Sequence, residues 1–160
     1  MASTNFTLEI ESVRGETRRH GKEDIIEVLS FEYGVSTGHF QGEGNSKRRN
    51  YTNVRFAKLI DRSSVGIQQM LATNSKIRQA TLRVSKAGGD ELIFYKVILK
   101  DAYIVSYRLH GEDLPDEFRA MPREEFEISF RRIEVEYEEQ NEKGLKAGQV
   151  SFADDIGSNE

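Results

Sequence analysis

The stretch ATLRVSKAGGDELIFYKVILKDAYIVSY, residues 80–107, carries the most regular strand pattern in the chain. Apolar side chains alternate with polar ones up to residues 87–90, Ala-Gly-Gly-Asp, which are typical of a tight turn between antiparallel strands. The following segment, Leu92 to Leu99, is apolar except at Lys96 and therefore predicts a central strand. Lys100 and Asp101 separate it from a second alternating segment, which predicts a neighbouring antiparallel strand. The apolar positions of that segment are Tyr103, Val105, Tyr107 and Leu109.

Alternating patterns also occur towards both ends of the chain. Near the N-terminus the apolar members are Phe6, Leu8 and Ile10. Two further segments change the parity of their apolar positions partway along, which is typical of a strand with a bulge or sharp bend at the corner of a small barrel. In the first, Ile26 and Val28 give way to Leu29, Phe31, Tyr33 and Val35; in the second, Phe126, Ile128 and Phe130 give way to Ile133, Val135 and Tyr137. Two long, bent strands predict a closed or nearly closed barrel.

A single helix is predicted after the strand from Val54 to Ile60. Residues 61–64, Asp-Arg-Ser-Ser, offer an N-cap, and Asn74 offers a C-cap. Between them the apolar residues with helical spacing are Ile67, Met70 and Leu71. The stretch from His110 to Arg123 contains both prolines and is interpreted as a loop, because proline cannot donate a ladder hydrogen bond. The predicted architecture is mainly β with one short helix.

Composition excludes several classes of protein. The chain has 160 residues and no cysteine, which indicates one domain without disulfides, thiolate metal sites or cysteine nucleophiles. Acidic residues outnumber basic ones 27 to 23, so general nucleic-acid affinity is not expected. No apolar run approaches the roughly 18 residues of a membrane helix, and the first residues resemble no ordinary secretory signal. We therefore expect a water-soluble protein that folds in the cytoplasm.

The glycine-rich, basic segment GHFQGEGNSKRRNYTN, residues 38–53, raises the question of an anion site. It lacks the third glycine of a dinucleotide-binding loop and the Gly-Lys-Ser/Thr end of a phosphate-binding loop, and no helix is predicted directly after it. A long loop between two strands more often contacts a ligand or a protein partner. The segment is therefore predicted to be a binding or assembly loop.

Catalytic and metal-binding patterns are not recognisable. His20, His39 and His110 fall in predicted loops without metal-ligand spacing, and we interpret them as surface residues. No Gly-x-Ser-x-Gly elbow occurs. The carboxylates from Glu134 to Glu139 read as the solvated side and exit of a strand. No catalytic, cofactor or metal site is predicted.

Four blocks in a fixed order carry a family resemblance. They are IIEVLSFEYGVS, FAKLIDRSS, ATLRVSKAGGDELIFYKVILKDAYIVSY and EFEISFRRIEVEYEEQNEKGLKAG. Together they resemble the haemolysin-coregulated protein (Hcp) family, the tube proteins of bacterial type VI secretion systems, from about Phe6 to Phe152. The resemblance implies one domain over residues 1–160, a β-barrel of two antiparallel sheets with one short helix and an extended loop. We expect residues 153–160 to form a flexible acidic tail.

The resemblance also implies a structural function without catalysis or cofactors. Hexameric rings would stack into the inner tube, which is expelled with a spike protein from a contractile sheath and can carry effector proteins. Assembly would occur in the cytoplasm, followed by secretion without a cleaved signal peptide, membrane insertion or nucleic-acid binding. The residues expected at the subunit or ring interface lie in the extended loop: Phe40, Lys47, Arg48, Arg49 and Tyr51. The alternatives are a monomeric small-molecule-binding β-barrel and an enzyme of unassigned chemistry.

Overall fold

Antiparallel strands make up most of the computed structural model, which describes residues 4–13, 15, 25–38, 49–86, 92–112, 121–140 and 146–156. The elements in chain order are β1 (Thr4–Ile10), β2 (Ile25–Val28), β3 (Ser30–Glu32), β4 (Val35–Thr37), β5 (Arg49–Tyr51), β6 (Val54–Leu59), α1 (Ser63–Ala72), β7 (Ile77–Lys86), β8 (Leu92–His110), β9 (Arg123–Gln140) and β10 (Lys146–Asp155). The predicted mainly β class with one short helix is confirmed for these residues.

The strands form two antiparallel sheets. The larger sheet has eight strands in the order β2-β1-β7-β8-β9-β6-β3, with β10 also paired to β9, and β4 and β5 form a separate two-stranded sheet. The path of the large sheet ends at β2 and β3, so a closed barrel is not found among the described strands. These two strands are consecutive in the chain and meet at Leu29, whose N–H donates to the Ala57 carbonyl at 2.8 Å. The predicted change of direction in this segment therefore occurs at Leu29.

The large sheet bends along one line that crosses three strands. In β8 the buried positions change parity between Leu99 and Ala102, and Asp101 between them has φ 51°. Neighbouring strands change parity at the paired positions: Ile77 pairs with Ala102 and Ala80 with Leu99. In β9 the same change separates Phe130 from Ile133, as predicted. Because all three strands change together, both halves of the sheet direct their apolar faces into one core.

Two predictions about the residues of β8 are wrong. The segments before and after Lys100 are one 19-residue strand, because the charged pair at positions 100 and 101 lies at the bend and not in a turn. Val105 and Leu109 are 45% and 54% exposed. Val105 lies at a bulge, where the register shifts between Ile104 and Ser106, and Leu109 lies at the end of the strand. The first half of β8 does lie centrally, between β7 and β9, as predicted.

The sequence pattern does not predict strand β10, which spans Lys146–Asp155. Its residues 148–153 are exposed on both faces, so no buried alternation marks it. It ends at Asp155, and the predicted tail over residues 153–160 is therefore wrong for its first three positions. Residues 157–160 lie outside the described chain.

Helix α1 begins and ends close to the predicted signals. Ser63 donates its N–H to Asp61 Oδ1 at 2.8 Å, while Arg62, the residue before the first turn, makes no side-chain cap bond. Asn74 has φ 53° and donates its N–H to the Leu71 carbonyl at 3.1 Å, which closes the C-terminus. Of the predicted apolar stripe, Ile67 is fully buried, while Met70 and Leu71 pack against the core with partial burial.

Candidate assembly site at the base of the extended loop

The base of the extended loop is a short antiparallel ladder. Val35 pairs with Tyr51, and Thr37 pairs with Arg49. We call β4 and β5 together the β4–β5 ribbon. The ladder is continued by Thr52, which donates its N–H to the Gly34 carbonyl at 2.9 Å. Residues 49–51, predicted as loop, are therefore a strand.

A carboxylate on β10 holds the ribbon. Arg49 donates from Nε to Asp154 Oδ2 at 2.5 Å and from Nη2 to Asp154 Oδ1 at 2.6 Å, a bidentate pair. Arg49 Nη2 also donates to the Asp155 carbonyl at 3.0 Å. The Tyr51 hydroxyl donates to Asp154 Oδ2 at 2.8 Å. We call this arrangement the Arg49–Tyr51–Asp154 clamp.

The clamp fixes the protonation states of its members. The hydrogen bonds from Arg49 hold the pKa of Asp154 below its usual value. Burial, and then the hydrogen bond to Asp154, raises the pKa of Tyr51 to about 12. At neutral pH the carboxylate is therefore charged and the phenol is a donor. The Arg49 and Asp154 side chains are only 21% and 17% exposed, so solvent screens their attraction less than that of a fully exposed pair.

An aromatic contact places the ribbon beside the bend of the large sheet. The Tyr51 ring meets the Phe130 ring edge to face, with centroids 5.6 Å apart. Phe130 lies on β9 directly before the bend, and Asp154 pairs with Ile133 directly after it. The ribbon therefore contacts β9 and β10 where their apolar face turns.

Two of the five predicted interface residues are thus brought together, although by contacts within their own chain. Arg49 and Tyr51 converge on Asp154, a partner that the sequence did not indicate. Phe40, Lys47 and Arg48 lie outside the described residues. The prediction that these side chains contact another subunit stays a prediction.

A second polar cluster, which sequence reasoning missed, lies inside the protein. Lys58 on β6 and Glu124 on β9 are both fully buried and form an ion pair. Lys58 Nζ also donates to Asp61 Oδ1 at 2.9 Å, and the Ser64 hydroxyl donates to Glu124 Oε1 at 2.7 Å. The Tyr107 hydroxyl donates to Glu124 Oε2, and burial followed by this bond raises the pKa of Tyr107. The cluster connects the start of α1 to three strands.

The sequence does contain a signal for this cluster. Lys58 has the parity of the buried residues Val54 and Phe56, and Glu124 has the parity of Phe126. Opposite charges on the apolar faces of two strands indicate a buried pair when those strands are neighbours. β6 and β9 are neighbours, with Lys58 directly opposite Glu124.

An exposed apolar patch lies at the β10 end of the large sheet. Val150 pairs with Tyr137 and Phe152 pairs with Val135, which places these side chains on one face. Val150, Phe152 and Tyr137 are 60%, 55% and 43% exposed. We call these three residues the β9–β10 patch. It continues the row that begins with buried Ile133, so the apolar face of the sheet extends beyond the part that the described chain covers.

Neither a metal site nor a membrane-spanning helix is found among the described residues. No group of three or more histidine, aspartate or glutamate side chains among them could hold a metal ion. Within the same part of the chain, no helix has the length and apolar character needed to cross a membrane.

The described residues form an antiparallel β-sheet protein with one helix and a separate two-stranded ribbon, and comparison with known proteins supplies the family. Residues 7–137 match the model of the family described as "Type VI secretion system effector, Hcp". The chain belongs to this family of structural, non-enzymatic type VI secretion proteins.

Individual relatives agree with this assignment. The chain is 27% identical over 150 residues to Protein hcp1 of Pseudomonas aeruginosa, covering 91% of this chain and 90% of that protein. The crystal structure of Hcp1 from Salmonella typhimurium superposes with a TM-score of 0.76 at 28% identity, covering 100% of this chain and 99% of that one. The structure of a type six secretion system protein superposes with a TM-score of 0.85 at 20% identity, over 99% of both chains, and supports the fold.

Proposed function

We propose that the protein is the tube subunit of a type VI secretion system. Six copies form a ring, and rings stack into a hollow tube inside the sheath. The tube leaves the cell with the spike protein at its tip and carries effector proteins. The observation that supports this proposal is the family match over residues 7–137, together with the superposition along the whole of an Hcp1 structure. The same match favours secretion over the alternative of a small-molecule-binding barrel.

Ring formation needs a heterologous interface, in which one surface of a subunit fits a different surface of the next. β10 is suited to this task because it pairs with β9 on one side and with no described strand on the other. Its apolar side chains in the β9–β10 patch gain from being covered, since burying apolar area is favourable by about 25 cal/mol per Å². We therefore place the ring contact at β10.

Ring stacking is assigned to the extended loop. Phe40, Lys47 and Arg48 are its proposed contact residues on a neighbouring ring, and Arg49 and Tyr51 hold its base through Asp154. Basic side chains suit such a contact because the chain carries 27 acidic residues that a second ring could present.

The oligomeric mass tests the proposal. Light scattering of the purified protein at micromolar concentration is expected to give six times the subunit mass of 18.3 kDa. Negative-stain electron microscopy of the same sample is expected to show rings with an open centre. A particle of one subunit mass throughout the concentration range, without rings in the images, would refute the proposed tube function.

A further inference from the structure

We propose that Asp154 is a positioning residue for tube assembly, because it fixes the β4–β5 ribbon against β10 and so sets the direction in which the extended loop leaves the subunit. The assembly part of this inference rests on the proposed tube function. The positioning part rests on the contacts within one chain.

The ribbon depends on outside contacts for its position. It has three residue pairs and belongs to its own two-stranded sheet, separate from the large sheet. A two-stranded ribbon is marginally stable in water unless it packs on other structure. Here the Tyr51 ring rests on Phe130, and three side-chain N–H or O–H donors from Arg49 and Tyr51 meet the Asp154 carboxylate. One carboxylate thus fixes both the location and the orientation of β5.

The clamp also joins the two surfaces that the proposed tube uses. Asp154 lies two residues after Phe152 and on the same face of β10. The extended loop enters and leaves through β4 and β5, whose last and first residues, Thr37 and Arg49, are paired. A neighbour that contacts β10 therefore lies next to the carboxylate that holds the loop. A contact at β10 is therefore expected to influence stacking through Asp154.

The chemistry of the site requires a carboxylate at this position. Asp154→Asn keeps the size of the side chain but places an N–H₂ group towards donors, so it cannot accept the bidentate pair from Arg49. Asp154→Glu restores the charge on a longer arm and serves as the rescue variant. Glu9→Gln is the matched control, because it removes one negative charge from another partly exposed pair, with Arg83 at 3.7 Å, on strands β1 and β7.

Hydrogen exchange measured by mass spectrometry tests positioning directly. In full-length Asp154→Asn, peptides that contain residues 35–37 and 49–51 are expected to exchange about tenfold faster or more, because bonds to a charged acceptor are among the stronger ones. Peptides from the buried strand β7 are expected to keep the wild-type rate. Asp154→Glu is expected to recover part of the protection, and Glu9→Gln is expected to match the wild type. Unchanged exchange in Asp154→Asn overturns the inference.

Electron microscopy of the same variants tests the consequence for assembly. Asp154→Asn is expected to form rings that stack into tubes less often than wild-type rings, with partial recovery in Asp154→Glu. Faster exchange together with normal stacking overturns the assembly role of the clamp. If the wild type forms no rings, the tube function fails, and the exchange experiment still decides whether Asp154 positions the ribbon.

Discussion

At the scale of single residues, the protein places its charged side chains in two different environments. The Lys58–Glu124 pair is fully buried, whereas the Arg49–Asp154 pair keeps about a fifth of each side chain in contact with water. A buried pair is sensitive to the loss of one partner, because the remaining charge cannot be hydrated. In the partly exposed pair, the Asp154 carboxylate can take up a proton from solvent when the pH falls. The two pairs therefore call for different tests.

Removing one partner of the buried pair is expected to destabilise the fold. Lys58→Met leaves the Glu124 carboxylate without its cation and is expected to lower the free energy of unfolding by about 3–5 kcal/mol. The double variant Lys58→Met/Glu124→Leu is expected to lose less than Lys58→Met alone, because no buried charge remains. Urea unfolding at one fixed protein concentration measures both, since the proposed assembly would make the apparent stability depend on concentration. A double variant that loses as much as the two single variants together would contradict this account.

The clamp is expected to lose its contribution in acid. The pKa of Asp154 is held below the ordinary value of 3.8, so its stabilisation is present above that value and falls as the folded carboxyl takes up a proton at lower pH. The pKa of Tyr51 is raised from 10.0 to about 12, so its contribution is complete below 10.0 and does not limit the clamp at neutral pH.

Urea unfolding of the wild type and Asp154→Asn across pH measures this effect. The difference in the free energy of unfolding is expected to stay constant from about pH 5 to 9 and to shrink below about pH 4. Glu9→Gln is the control: its free energy of unfolding across pH shows the effect of losing a carboxylate other than Asp154. A difference between wild type and Asp154→Asn that is the same at pH 3 and pH 7 would show that the ionised carboxylate does not stabilise the clamp.

At the scale of elements, the sequence predicts those strands whose apolar residues alternate over a buried face. β1, β6 and β7 follow that rule, and the helix follows its caps and the burial of Ile67. The sequence predicts two strands on either side of Lys100, because a charged pair occurs at a turn and at a sheet bend equally well, whereas the structure has one strand there. β10 has only two alternating apolar residues, Val150 and Phe152, and this pattern is too short to predict a strand.

The candidate site was predictable only in part for a related reason. Arg49 and Tyr51 stand out in a basic, glycine-rich loop, and they do form one site. Their partner Asp154 is 105 residues away from Arg49, in a segment that the sequence predicts to be a tail. Its proximity depends on β10 pairing with β9, and no local pattern encodes that pairing.

Helix α1 gives an element-scale prediction at Gly66. Replacing a helical glycine by alanine favours the helix by about 1 kcal/mol. A Cβ atom at Gly66 would, however, lie 3.2 Å from Cγ1 of Val13, which is buried. We expect Gly66→Ala to raise the free energy of unfolding by less than that amount in the wild type, because Val13 must shift.

The Val13→Ala background separates the two effects. There the close approach to Cγ1 is absent, only the ordinary contact with the Cβ atom remains, and Gly66→Ala is expected to show its full gain of about 1 kcal/mol relative to Val13→Ala alone. Urea unfolding of the four proteins completes the cycle. Equal effects of Gly66→Ala in both backgrounds would mean that the Val13 side chain does not oppose the substitution.

At the scale of the whole molecule, the large sheet has more apolar face than the described residues cover. The row that runs from buried Ile133 through Val135 reaches the exposed Tyr137 on β9, with Phe152 and Val150 beside it on β10. An edge strand with exposed apolar side chains is a common site of pairing or packing with another chain. In the ring proposed above, a second copy of the chain would cover it.

Phe152→Lys tests this surface. The side chain is 55% exposed, so its replacement is expected to leave the circular dichroism spectrum of the subunit unchanged. An aromatic residue at the centre of an interface commonly contributes about 2 kcal/mol or more, and lysine would bring an unpaired charge into the contact. We therefore expect the mass measured by light scattering to shift from that of the ring towards that of the subunit, at a concentration where the wild type is fully assembled.

Gln149→Lys, which adds the same charge to the opposite face of β10 beside Glu138, is expected to retain the ring. A folded Phe152→Lys protein with an unaltered ring mass would place the ring contact elsewhere than the β9–β10 patch.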